Sequence, residues 1–219
     1  MDTEAAGRTR SIAMLAGPLA HWSPDFMLPV PGGCALGSRS LTAHIDALAA
    51  LGIEMEGTSE GWRVRAPKKR PAEFVMYEAS DTGVENALMA AALIPGTTII
   101  RFASANYMVQ DLCVFLEGPG VRIDGIATHT LTVHGVDKID IEATGQPSED
   151  PIEAMFFIAL AATTGSSFTI KRAPIDFLAI ELAQLTKMGL KYKLFGASLG
   201  DNGRVRLADI MVMPSQLSA

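Results

Sequence analysis

The segment Val30-Pro-Gly-Gly-Cys-Ala-Leu-Gly-Ser-Arg-Ser40 gathers more chemically capable groups than any other stretch of this 219-residue chain. Its glycines let the backbone turn tightly or approach a ligand closely. Cys34 lies five positions before Arg39, and both precede a helix pattern that starts near Leu41. A neighbouring guanidinium and a helix N-terminus both favour thiolate, so Cys34 is a candidate reactive group. The same residues also read as a glycine-rich connector whose cysteine packs as a small hydrophobe. The segment is not a familiar phosphate loop. It lacks the lysine and hydroxyl pair of G-x-x-x-x-G-K-[ST] and does not fit G-x-G-x-x-G.

Other candidates are weaker. Ser80, Asp81 and Thr82 stand before an apolar helix pattern, where a side-chain oxygen would cap the helix. The same free amides could meet phosphate, which the Asp81 carboxylate would oppose. His44 falls in the first turn of the helix after the glycine-rich segment and reads as a surface histidine or a ligand contact. His129 and His134 fall on opposite faces of an unbroken strand, and no metal-ligand spacing is present. Cys113 sits in an apolar helix pattern and reads as core. Lys68-Lys69-Arg70 read as a solvated turn.

The elements that must position these groups repeat. Gly52, Gly120 and Gly189 are 68 and 69 positions apart, and each ends a helix-like run: LTAHIDALAALG, VQDLCVFLEGPG and LAIELAQLTKMG. Two short alternating stretches follow each glycine and predict half-buried strands. Upstream, ENALMAAALIPGTTIIRFA parallels EAMFFIALAATTGSSFTIKRA; RSIAMLAGPLA and DFMLPV hold these places in the first copy. The predicted unit is βαβαββ in a mixed α/β (α+β) chain, with EFVMYEA and KIDIEAT opening the second and third copies. The first copy has no opening strand, which leaves an edge for another segment to cover. The polar stretch Thr144–Pro151 predicts a joint, with domains at 1–146 and 147–219.

Composition narrows the classes. With 48% apolar and 19% charged residues the chain is foldable rather than disordered. No apolar run approaches the roughly 20 residues that span a bilayer, so no membrane role is expected. A net charge of −6 argues against nucleic acid as a partner. Two cysteines make no disulfide framework, and Asp2 and Glu4 are wrong for a signal peptide; a cytoplasmic location is expected.

PGGCALGSRSLTAHIDALAALGIEMEG resembles the catalytic-loop region of UDP-N-acetylglucosamine enolpyruvyl transferases (1-carboxyvinyltransferases). GVENALMAAALIPGTTIIRFASA and VQDLCVFLEGPGVRIDGIATHTLTVHGV are similar to the next unit of that family, and DPIEAMFFIALAATTG to its crossing into a second domain. The resemblance runs from about Arg10 to Met213. It implies an inside-out α/β barrel of repeated units in each of two domains, of which this chain holds about three units. It also implies transfer of the enolpyruvyl group of phosphoenolpyruvate to the sugar 3-hydroxyl, without metal or cofactor, in peptidoglycan precursor synthesis.

By this resemblance Cys34 is the proton donor that can bond covalently to phosphoenolpyruvate. Arg10 and Arg39 meet the anionic substrates, Ser40, Leu41, Thr42 and Ala43 hold the uridine nucleotide, and Ala79, Ser80, Asp81 and Thr82 approach the diphosphate. Ser40 replaces the family's usual proline, and Ala79 with Ser-Asp-Thr-Gly replaces a lysine with Val-Ser-Val-Gly, which should alter diphosphate binding. The family's Lys-Asn pair and the carboxylate base for the sugar hydroxyl have no counterpart here. An inactive isolated chain, completed by a complementary chain or by self-association, is therefore expected. Two alternatives remain: a shikimate-type relative, which would not use Cys34, and a non-catalytic nucleotide-sugar-binding fragment.

Overall fold

The computed structural model describes residues 3–33 and 40–218; Cys34 and Arg39 lie outside them. The chain divides into two compact units, Met1–Thr144 and Gly145–Ala219. Each has its own apolar core.

The first unit opens with α1 (Thr3–Ala6), a 3-10 helix (Arg10–Leu15) and α2 (Ala16–Leu19). Then come β1 (Asp25–Pro29), α3 (Thr42–Ala50), β2 (Glu54–Thr58) and β3 (Gly61–Arg65). A second copy follows as β4 (Glu73–Val75), α4 (Asp81–Ala92), β5 (Gly96–Arg101), α5 (Tyr107–Glu117), β6 (Arg122–Asp124) and β7 (Thr130–Gly135). The second unit holds α6 (Pro151–Thr164), β8 (Phe168–Pro174), α7 (Ala179–Lys187), β9 (Lys191–Leu199) and β10 (Arg206–Met213).

The repeat is visible in the sheets. Their orders are β1-β3-β2, β4-β5-β7-β6 and β8-β10-β9. In each, the last strand of the copy lies between the other two antiparallel strands. Among the described residues the opening strand is present only in the second copy, where β4 runs parallel to β5 with Glu73 opposite Ile99. These are separate sheets, and no closed barrel is formed among the described residues. Gly52, Gly120 and Gly189 all have positive φ, at +80°, +101° and +101°. A side chain at any of them would be strained, which explains the ladder in the sequence.

One predicted strand is absent. KIDIEAT forms no strand. Ile139 packs against the core of the first unit, but Ile141, on the same side of the alternating pattern, is exposed, and the segment has no ladder partner. A second correction concerns Lys69. It is half-buried, and its Nζ donates to the Ala20 carbonyl at 2.8 Å, so the turn at 68–70 is not simply solvated.

Helix α4 is the centre of the first unit. Nine of its residues are buried, from Gly83 to Ala92. It packs against α2, α3, α5 and β7. Its buried residues fall on every side and are apolar apart from Glu85 and Asn86, so it must be covered on every side. Equivalent positions of the two copies meet directly. Gly17 N donates to Asn86 Oδ1 at 2.8 Å and His21 Nε2 to the Ala90 carbonyl at 2.8 Å, each pair 69 positions apart. A Cβ on Gly17 would lie 2.5 Å from the Asn86 carbonyl, so only glycine permits this approach.

Candidate functional site

The N-termini of the 3-10 helix, α3 and α4 converge on one region. Thr9 caps the 3-10 helix by accepting from Ser11 N. Arg10, the next residue, is half-buried, and its Nη2 donates to the Ser40 carbonyl at 3.3 Å. A Cβ on Gly33 would lie 3.3 Å from Arg10 N. Arg10 therefore meets the chain on both sides of residues 34–39. Ser40 Oγ accepts from Thr42 N at 2.9 Å and also bonds the Thr42 hydroxyl, closing the turn that starts α3.

A cavity of about 360 Å3 opens here, lined by Arg10, Val30, Pro31, Ser40, Leu41 and Thr42, with Ile45 and Trp62 on its wall. It joins a fixed cation to two hydroxyls and an apolar wall, the groups expected of a site for an anion carrying an apolar or ring portion. A larger hollow, about 750 Å3, lies in the second unit between α6 and β8. None of the predicted site residues lines it, so size alone does not mark the chemistry.

The second cluster sits at the start of α4. Ser80 is the N-cap, its Oγ accepting from Gly83 N at 3.2 Å. Gly83 allows α4 to approach α3: a Cβ there would lie 3.2 Å from the Ala43 Cβ and 3.2 Å from the Met76 Cε. Ala79 and Thr82 are exposed. Asp81 turns aside. Its carboxylate accepts from the Ser104 hydroxyl and from Asn106 Nδ2, the latter at 2.9 Å. The negative charge that the sequence set against phosphate is thus engaged by two donors at the start of α5.

His44 joins the two clusters, and it is not on the surface. It is 6% exposed, beside Asn86 at 0%. Its Nδ1 lies 3.1 Å from Asn86 Nδ2 and its Nε2 lies 3.2 Å from Thr82 Oγ1. Burial, then the charge of Arg10, hold the imidazole below its ordinary range. On α4, burial and then Asp81 push the Glu85 carboxyl up. Asn86 was missed in the sequence. Its signal was an amide in a mostly apolar helix, where such a group needs partners from neighbouring elements.

Of the predicted residues, then, Arg10, Ser40, Leu41 and Thr42 share one cavity. Ala43 packs beneath Gly83, and Thr82 reaches the first cluster through His44. Cys34 and Arg39 lie outside the described residues. Cys113 is buried core. His129 and His134 bond the Ala103 carbonyl and Asp124, and neither lines the cavity at Arg10. Among the described residues no group of three or more His, Cys, Asp or Glu could hold a metal ion. No helix there is long and apolar enough to cross a membrane.

The model of the EPSP synthase (3-phosphoshikimate 1-carboxyvinyltransferase) family matches residues 2–212. A UDP-N-acetylglucosamine 1-carboxyvinyltransferase of Bradyrhizobium diazoefficiens is 38% identical over 91% of this chain and 46% of its own length. One from Legionella pneumophila is 36% identical over 87% of the chain and 39% of its own length. The chain spans about half the length of the curated relatives it matches. In fold it is similar to the enolpyruvyl transferase NikO of Streptomyces tendae, with TM-score 0.76, 19% identity, and 97% of this chain and 48% of that one covered. An EPSP synthase of Acinetobacter baumannii gives TM-score 0.69 at 20% identity, covering 94% of this chain and 46% of that one. The chain belongs to the EPSP synthase family of carboxyvinyltransferases, among relatives named UDP-N-acetylglucosamine 1-carboxyvinyltransferase.

Proposed function

We propose that this chain carries the loop-bearing part of a UDP-N-acetylglucosamine 1-carboxyvinyltransferase, the first committed step of peptidoglycan precursor synthesis. The sugar 3-hydroxyl adds to C2 of phosphoenolpyruvate while a proton is delivered to C3; loss of a C3 proton and of phosphate then restores the vinyl group. Cys34 is the proton donor in this scheme, and a general acid must keep its proton near neutral pH. Arg10 and Arg39 hold phosphate and carboxylate through charge-assisted bonds. Ser40, Leu41, Thr42 and Ala43 serve the nucleotide, and Ala79, Ser80, Asp81 and Thr82 the diphosphate. Both substrates are cytoplasmic metabolites, which puts the reaction in the cytoplasm.

The observation that carries this reading is the grip of Arg10 on both sides of the Cys34 segment, in a chain whose curated relatives bear that name. The PGGC sequence favours it over a shikimate-type acceptor. We further infer that residues 1–146 are most of the catalytic-loop domain and 147–219 the first unit of a second. Helix α6 supports a partner for the latter, a complementary chain or a second copy, since Ile152, Phe156 and Leu160 are exposed on it.

Phosphate release from phosphoenolpyruvate tests the proposal. The isolated chain is expected to release none. Release that requires UDP-N-acetylglucosamine would support the chemistry and overturn the expectation that the isolated chain is inactive. Release without any acceptor would overturn the chemistry.

A further inference from the structure

We propose that Asn86, His44 and Thr82 form a relay that fixes the Thr82 hydroxyl as a hydrogen-bond donor to the diphosphate of the nucleotide sugar, with His44 and Asn86 as positioning residues. The inference rests on the proposed site at the start of α4.

The direction of the relay follows from two backbone groups. Gly17 N can only donate, so the Asn86 oxygen faces it at 2.8 Å. The Ala13 carbonyl can only accept, so Asn86 Nδ2 faces it at 2.9 Å. The amide cannot be flipped without placing like groups together. The second hydrogen of Nδ2 then points to His44 Nδ1 at 3.1 Å, which must be the ring's acceptor. His44 is therefore neutral, with its proton on Nε2, and donates to Thr82 Oγ1 at 3.2 Å.

That leaves the Thr82 hydroxyl hydrogen for another acceptor. Thr82 is the second residue of α4, so no carbonyl of that helix lies one turn back to take it. Thr82 is exposed at the helix start, where free amides and the helix dipole favour an anion. The relay thus supplies a neutral donor at the residue next to Asp81.

Protonation of His44 would put a hydrogen on Nδ1 against the Asn86 amide and break the chain. Arg10, from the 3-10 helix, is the charged group that acts on the ring, and it resists this change. Helix α4 turns the uncharged Asn86 and Thr82 to His44; Asp81 and Glu85 are the titratable groups of that helix's first turns, and Asp46 lies on His44's own helix.

The test is calorimetric titration with UDP-N-acetylglucosamine from pH 8 to pH 5, on the 219-residue chain and its Thr82→Val and Thr82→Ser variants, together with nitrogen NMR of the imidazoles. Thr82→Val should weaken binding roughly tenfold at pH 8, while Thr82→Ser stays near the parent. Affinity of the parent should fall as His44 protonates, and that limb should be missing in Thr82→Val. NMR should show the Nε2–H tautomer. Equal affinity of Thr82→Val and parent, parallel pH profiles, or an Nδ1–H tautomer would overturn the relay alone. No binding by the parent at any pH would instead overturn the nucleotide-sugar reading on which the relay depends.

Discussion

Arg10 and Ser40 lie 30 positions apart in the chain, yet the Arg10 guanidinium donates to the Ser40 carbonyl at 3.3 Å. With Gly33 packed on the Arg10 backbone, one residue holds both approaches to the Cys34 segment. A 3-10 helix places it there, its first turn set by Thr9.

Arg10→Lys keeps the charge and loses the planar fork. It should weaken phosphoenolpyruvate and UDP-N-acetylglucosamine binding by about tenfold or more, read by calorimetry. Unchanged affinity for both would remove Arg10 from the site.

If Cys34 has the proposed role, Cys34→Ala should abolish formation of a covalent phosphoenolpyruvate adduct while leaving nucleotide-sugar affinity within about twofold. Intact-mass measurement after treatment reads the first effect. An adduct of the same mass on the variant would assign the chemistry elsewhere.

Gly17→Ala should cost about 1–3 kcal/mol of stability, since its Cβ would press on the Asn86 carbonyl between two packed helices. Gly165→Ala provides the comparison. Its φ is +63° with nothing within 4 Å, so backbone strain alone applies, about 1 kcal/mol. Urea unfolding measures both, and a smaller loss at Gly17 than at Gly165 would contradict the packing account.

Much of this architecture was legible in the sequence. The 68- and 69-residue spacings predicted the copies because helices commonly end at a left-handed glycine, and Gly52, Gly120 and Gly189 have positive φ just past α3, α5 and α7. KIDIEAT misled because alternation alone supplies no ladder partner: Ile139 packs on the core while Ile141, on the same side of the pattern, is exposed. His44 misled because a histidine in a first turn carries no local sign of what will cover it. Its partners, Asn86 and Thr82, come from the next copy, about 40 positions on. Contacts between copies depend on how the helices dock, which periodicity within one helix does not encode.

Stability should fall on acidification below about pH 6.5. His21 and His44 are both held below their ordinary range by burial, so the unfolded chain binds their protons first. Stability is then full above the unfolded value and declines as pH falls through that window. Glu85 acts oppositely: its raised pKa lets the folded state hold a proton that the unfolded state releases, so its contribution is lost as pH rises above about 4.5. Melting temperatures from pH 8 to pH 5 test this. His44→Gln should flatten the decline; an unaltered slope would contradict the buried neutral imidazole.

The most direct test of the account is a pair of equilibrium titrations of the 219-residue chain, one with UDP-N-acetylglucosamine and one with 3-phosphoshikimate. Saturable one-to-one binding of the nucleotide sugar, weakened by Arg10→Lys, with no binding of the phosphoshikimate, is predicted. Binding of 3-phosphoshikimate in place of the nucleotide sugar would contradict it.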